Sequence, residues 1–206
     1  MQNHLYQKNL AALGLLVAAT WAAGCHKTID KEQFRSALNR YYSARQECLF
    51  EPEIKLPVQA DAGDDQETKR FDALTDAGLL QRTPQEKKRF LIGSKQVNDY
   101  DLSPAGRSHW TADASQPGMG NFCVGSPTVQ SIDNFVPAGT NENLYSVTYT
   151  YALKLPDWAS NAEIGNAFPR IAQESMGQSA TATLTREGND WQVGNVTSTR
   201  GVPLPQ

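Results

Sequence analysis

Between residues 144 and 155 the chain alternates without a break. Tyr145, Val147, Tyr149, Tyr151, Leu153 and Leu155 fall on one side; Leu144, Ser146, Thr148, Thr150, Ala152 and Lys154 fall on the other. A period of two places these sets on opposite faces of a strand. One apolar face backed by a mostly polar one is the pattern of an antiparallel sheet resting on a core. Such a segment needs paired neighbours and an apolar cover. Residues 122–124 and 128–136 read as strand, broken at Gly125-Ser126-Pro127. Residues 179–186 and 191–197 alternate around the turn at 187–190 and predict a hairpin. Ile164, Phe168, Ile171 and Ala172 give helical spacing to residues 161–175, with a disturbance at Pro169. Residues 111–121, rich in Gly, Pro, Ser and Asn, predict a loop, and residues 201–206 a loose tail.

The first half has a different period. Thr28 or Asp30 can cap a helix reaching about residue 49, with Phe34, Leu38, Tyr41, Tyr42, Arg45 and Leu49 at spacings of three and four and Cys48 on the same side. Pro52 and Pro57 make residues 51–57 an extended connector. Residues 61–65 carry three acids but lack the ligand spacing of a calcium loop, and read as a solvated turn or the acidic first turn of the next helix. Residues 67–77 predict a second helix with Phe71, Leu74 and Ala77 inward, closed by Gly78. Residues 81–88 read as a polar, basic link, and 89–92 and 97–102 as two short strands around Gly93-Ser94. Residues 103–106 read as a turn or a short cap.

Two stretches of this half carry a resemblance. Phe71-Asp72-Ala73-Leu74-Thr75-Asp76-Ala77-Gly78-Leu79-Leu80 followed by Tyr100-Asp101-Leu102-Ser103-Pro104-Ala105-Gly106-Arg107 resembles the end of the recognition helix and the wing of winged-helix proteins. The resemblance implies a Leu-rich helix leading into a hairpin. A nucleic-acid partner is not expected, because such binding needs a basic face and the chain has a formal net charge of −3. The expected fold is therefore α+β: two N-terminal helices with a short winged-helix-like hairpin, then an antiparallel sheet with one crossing helix.

The N-terminus sets the compartment. Lys8 precedes an apolar run over residues 10–23, which is shorter than the about 20 residues of a bilayer span. With small residues at its end, this is a secretory signal. The end, Trp21-Ala22-Ala23-Gly24-Cys25, resembles the lipobox of bacterial lipoproteins, although Ala22 stands where that family usually has Leu. The resemblance implies cleavage before Cys25 and lipidation of Cys25. Its next residue, His26 rather than Asp, leans towards an outer membrane facing the periplasm where the host has two membranes. The expected division is a signal peptide at 1–24, a helical part with a hairpin at 25–110, and a sheet part at 111–206 that forms one unit with it. Losing Lys8 leaves 18 basic residues against 22 acidic, a net charge of −4. With Cys25 lipidated, Cys48 and Cys123 are an even pair in an oxidising compartment, which predicts a disulfide. Two free buried thiols are the alternative.

Little chemistry is legible beyond this. Past the signal the histidines are His26 and His109, so neither a histidine-rich metal site nor a cofactor is expected. No nucleophile elbow or phosphate loop is present. Ser108-His109 is the nearest approach to a nucleophile and base, yet adjacent residues rarely point at one another. No catalytic residue is assigned, and the reading leans away from an enzyme. Arg82, Lys87, Lys88 and Arg89 form a basic segment, either a solvated hairpin surface or a contact for anionic envelope material. The expected function is a membrane-tethered, non-catalytic envelope lipoprotein that binds a protein partner or cell-wall component. The alternative is an envelope hydrolase or inhibitor acting on cell-wall or antibiotic substrates. A cleft around His109 favours the alternative, and an exposed aromatic patch on the 145–151 strand favours the binder.

Overall fold

The computed structural model describes residues 30–88 and 93–198. The expected signal peptide, Cys25, His26, Thr28, Arg89 and the expected C-terminal tail lie outside the described residues. In chain order the elements are α1 (Lys31–Ser43), β1 (Glu47–Cys48), β2 (Ile54–Lys55), β3 (Val58–Asp61), α2 (Asp65–Asp76), β4 (Leu80–Lys88), β5 (Ser94–Leu102), α3 (Pro104–Arg107), β6 (Trp110–Ala112), β7 (Met119–Gly125), β8 (Thr128–Pro137), β9 (Leu144–Ala152), α4 (Ala162–Ala167), α5 (Pro169–Ser175), β10 (Gln178–Glu187) and β11 (Asp190–Ser198).

The expected architecture is corrected. Among the described residues strand outweighs helix, and they form three antiparallel sheets where one was expected. The first helices do not form a two-helix N-terminal unit: α1 lies on the sheet of the last four strands, and three strands precede α2. One sheet has the order β11-β10-β9-β8; a second joins β7 to β1, β2 and β6; the third runs β3-β5-β4.

Asp30 caps α1 by accepting the Glu32 N–H, and Phe34, Ala37, Leu38 and Tyr42 form its buried stripe. That stripe covers Val147, Tyr149 and Tyr151 of β9, whose alternation is as the sequence predicts, together with Ala180, Ala182, Leu184 and Trp191. The Tyr42 and Tyr149 hydroxyls share a buried hydrogen bond of 2.8 Å. The helix stops at Ser43, short of the expected residue 49, because Glu47 and Cys48 pair with Gly125 and Cys123 of β7. The expected crossing helix is two helices. Phe168, placed before Pro169, leaves the helical region (φ −127, ψ 67) and separates α4 from α5.

The other core gathers Leu49, Phe50, Leu74, Leu79, Tyr100, Phe122, Leu153, Ile164, Phe168 and Ile171. The basic link expected at 81–88 is strand β4, and the loop expected at 111–121 contains β6 and the start of β7. β4 escapes a period-two reading because every residue from Gln81 to Lys88 is exposed and no apolar face exists. Its Pro84 is tolerated because β4 is an edge strand. Gly78 ends the α2 turn at φ +75. Gly106 acts by close approach: a Cβ there would lie 1.8 Å from the Leu79 carbonyl oxygen.

Candidate functional site

Cys48 and Cys123 form a disulfide. The two are direct register partners of β1 and β7, and their Cα atoms lie 3.9 Å apart, closer than the usual 4.4–6.8 Å. The bridge closes the base of the excursion that carries β2 to β6. Beside it, buried Asn121 accepts from the Phe50 N–H at 3.0 Å and donates to the Phe50 carbonyl at 2.7 Å, so one side chain completes the pairing of a strand.

Against the same strand stands a partly buried cluster of charges around Arg170. Arg170 of α5 donates through Nη1 to Glu47 at 2.5 Å and through Nη2 to the Cys48 carbonyl at 2.7 Å. Its guanidinium also meets Glu51 at 3.2 Å and Glu174 at 3.3 Å. Three carboxylates therefore share one cation. The side chain of Glu174 is 16% exposed, and its Oε2 is buried without a hydrogen-bond partner. Burial pushes the Glu174 carboxyl up to about 7, and Glu47 pushes the same way while Arg170 opposes. Tyr151 of β9 faces the group; burial, then Glu174, raises its phenol to about 12.

Two adjoining hollows of about 210 and 280 Å³ run between α1 and the start of β11, around Arg40 and Trp191. Each is smaller than the roughly 300–1,000 Å³ of a drug-sized ligand site. Among the described residues no group of three or more His, Cys, Asp or Glu is placed to hold a metal, and no helix is long and apolar enough to cross a membrane.

Several sequence expectations fall elsewhere. His109 is exposed, with its ring 5.9 Å from that of Trp158, and Ser108 donates its hydroxyl to the Ala105 carbonyl, so the two do not face one another as nucleophile and base. The β9 tyrosines are turned under α1 and present no exposed patch. The basic segment is largely engaged: Arg82 binds Asp72 at 2.8 Å, and Lys87 donates to Gln59 at 2.8 Å. Lys88 is exposed at the end of β4, and Arg89 lies outside the described residues. Sequence reasoning missed the Arg170 cluster and Asn121. Arg170 and Glu174 share a helix face four residues apart, but Glu47 is 123 positions away. The chain matches no protein-family model, no curated protein and no solved structure.

Proposed function

We propose that the protein is an envelope lipoprotein, cleaved after residue 24, lipidated on Cys25 and working as a non-catalytic tethered module for a protein partner or cell-wall component. The observation that carries this reading is the pairing of the cysteines. The chain has three, and two are joined as Cys48–Cys123. A structural disulfide belongs to an oxidising compartment, and Cys25, left over at the end of the signal, has neither of the other thiols to bond. The two acyl chains of a lipoprotein make a firm anchor where one alone binds only marginally. His26 favours the outer membrane facing the periplasm in a host with two. The exposed strand β4 is a surface such a module can offer a partner.

Metabolic labelling with an alkyne analogue of palmitate tests the anchor. The wild-type protein is expected to take up label and Cys25→Ser to take up none; equal labelling of the two overturns the assignment. Photocrosslinkers placed at Gln85 and Lys88 test the binding role in intact cells. A defined envelope adduct that depends on Cys25 is expected, and no adduct from either position refutes the role for this surface.

A further inference from the structure

The Arg170 cluster sits where the two cores meet. Arg170 and Glu174 belong to α5, which contributes Ile171 to the core around Phe122; Tyr151 belongs to the core beneath α1; Glu47 and Cys48 belong to β1, which carries the disulfide. We propose that this junction is a proton-sensitive latch, in which Arg170 holds α5 against β1 while Glu174 is a neutral acid, and that hold loosens when Glu174 becomes a carboxylate.

The geometry gives the reason. Glu47, 25% exposed, has the shortest contact with the guanidinium, and Glu51, 66% exposed, has water to share its charge. Glu174 has neither advantage. Its Oε1 takes the longest of the three contacts, and its Oε2 is buried with no partner. Ionised, it is a third anion on one cation, with a buried oxygen to which nothing donates, a costly arrangement. Protonated, it removes that repulsion and leaves Arg170 to Glu47, Glu51 and the Cys48 carbonyl. The titratable and charged groups facing it are Arg170 on its own helix, Glu47 of β1, Glu51 of the following turn and Tyr151 of β9. Tyr151 stays neutral throughout the range concerned, so Glu174 is the group that changes.

The direction of the effect follows from linkage. The folded protein holds the Glu174 proton up to about 7, whereas the ordinary carboxyl releases it near 4.5. Between these values the folded state binds more protons than the unfolded state, so stability falls as pH rises through that window and levels off above it. The shift sets a ceiling of about 300-fold on the change in folding equilibrium.

The test uses the full disulfide-bonded mature chain. Hydrogen exchange of α5 and β1, corrected for intrinsic rates, is followed from pH 5 to 8.5 for wild type, Glu174→Gln and Glu51→Gln. Wild-type protection in these elements is expected to fall by 10-fold or more as pH rises. Glu174→Gln, which mimics the neutral acid, is expected to flatten that fall, and Glu51→Gln to retain it. A Glu174→Gln profile that tracks wild type overturns the latch. Carbon-13 titration of the Glu174 carboxyl in unsubstituted protein gives a second reading that needs no variant: a midpoint near 7 supports the proposal, and one near 4.5 overturns it.

Discussion

Replacing Cys48 and Cys123 together by alanine isolates what the disulfide does. The cysteines are half-buried register partners, so their truncation removes no large side chain from either core. What it frees is the chain between them, a separation of 75 residues. In the chain-entropy model, closing a loop of that length contributes about 4.5 kcal/mol, a large part of a typical total of roughly 5–15 kcal/mol. In the native state Arg170 still bonds Glu47 and the Cys48 carbonyl, and Asn121 still bonds both polar groups of Phe50. Those contacts keep β1 on β7 but place no restraint on the unfolded chain. The loss therefore falls mainly on the unfolded ensemble, and the folded structure persists. Urea unfolding followed by circular dichroism and tryptophan fluorescence is expected to give an unfolding free energy lower by about 3–5 kcal/mol. The slope against urea is expected to rise, because the unlinked chain exposes more surface. At roughly 2–4 °C per kcal/mol, the thermal midpoint falls by about 6–20 °C. A loss below about 1 kcal/mol with the native spectrum retained refutes the reasoning.

Gly106→Ala is expected to cost at least about 3 kcal/mol in the same assay, since its Cβ would meet backbone rather than a movable side chain. Asn121→Ala is expected to cost about 2–4 kcal/mol by leaving the Phe50 N–H and carbonyl unpaired in the core. His109→Ala is expected to shift stability by no more than about 0.5 kcal/mol, because the ring is exposed, and to preserve biological function in complementation at normal protein level. The purified protein is expected to show no salt-sensitive DNA binding in fluorescence anisotropy; sub-micromolar affinity that weakens steeply with salt contradicts this.

What was legible in the sequence is what burial writes locally. The alternation of β9, the turn between β10 and β11, the Asp30 cap and the inward residues Phe34, Leu38 and Tyr42 all follow from periods of two or 3.6 and from turn chemistry. The cysteine pair followed from counting and from the oxidising compartment expected for the chain. β4 was hidden because an edge strand exposed on both faces has no hydrophobic period. β1 and β2, two residues each, exist only because β7 is there to pair them. The roles of Gly106 and Arg170 were illegible for a stronger reason. Each depends on a partner remote in sequence, Leu79 in one case and Glu47 in the other, and no local window contains it.

The grouping of elements was harder to read than the elements because each core is assembled from separated segments. The core beneath α1 takes residues from 34–42, 129–151 and 180–196; the other takes 49–124 and 153–171. The chain therefore visits the two cores in alternation, and no single cut separates them. Sequence order places helix α1 beside α2, its nearest helical neighbour. The burial pattern assigns it to strands far along the chain, because Phe34 packs on Tyr145 and Trp191, and Tyr42 packs on Tyr149, 107 positions away. An architecture of this kind needs fastening where the chain leaves one core for the other. The fastening lies at those crossings: β1 on β7 with its disulfide, and Arg170 on β1 beside Tyr151. The disulfide and the Arg170 cluster thus both lie where the chain passes from one core to the other.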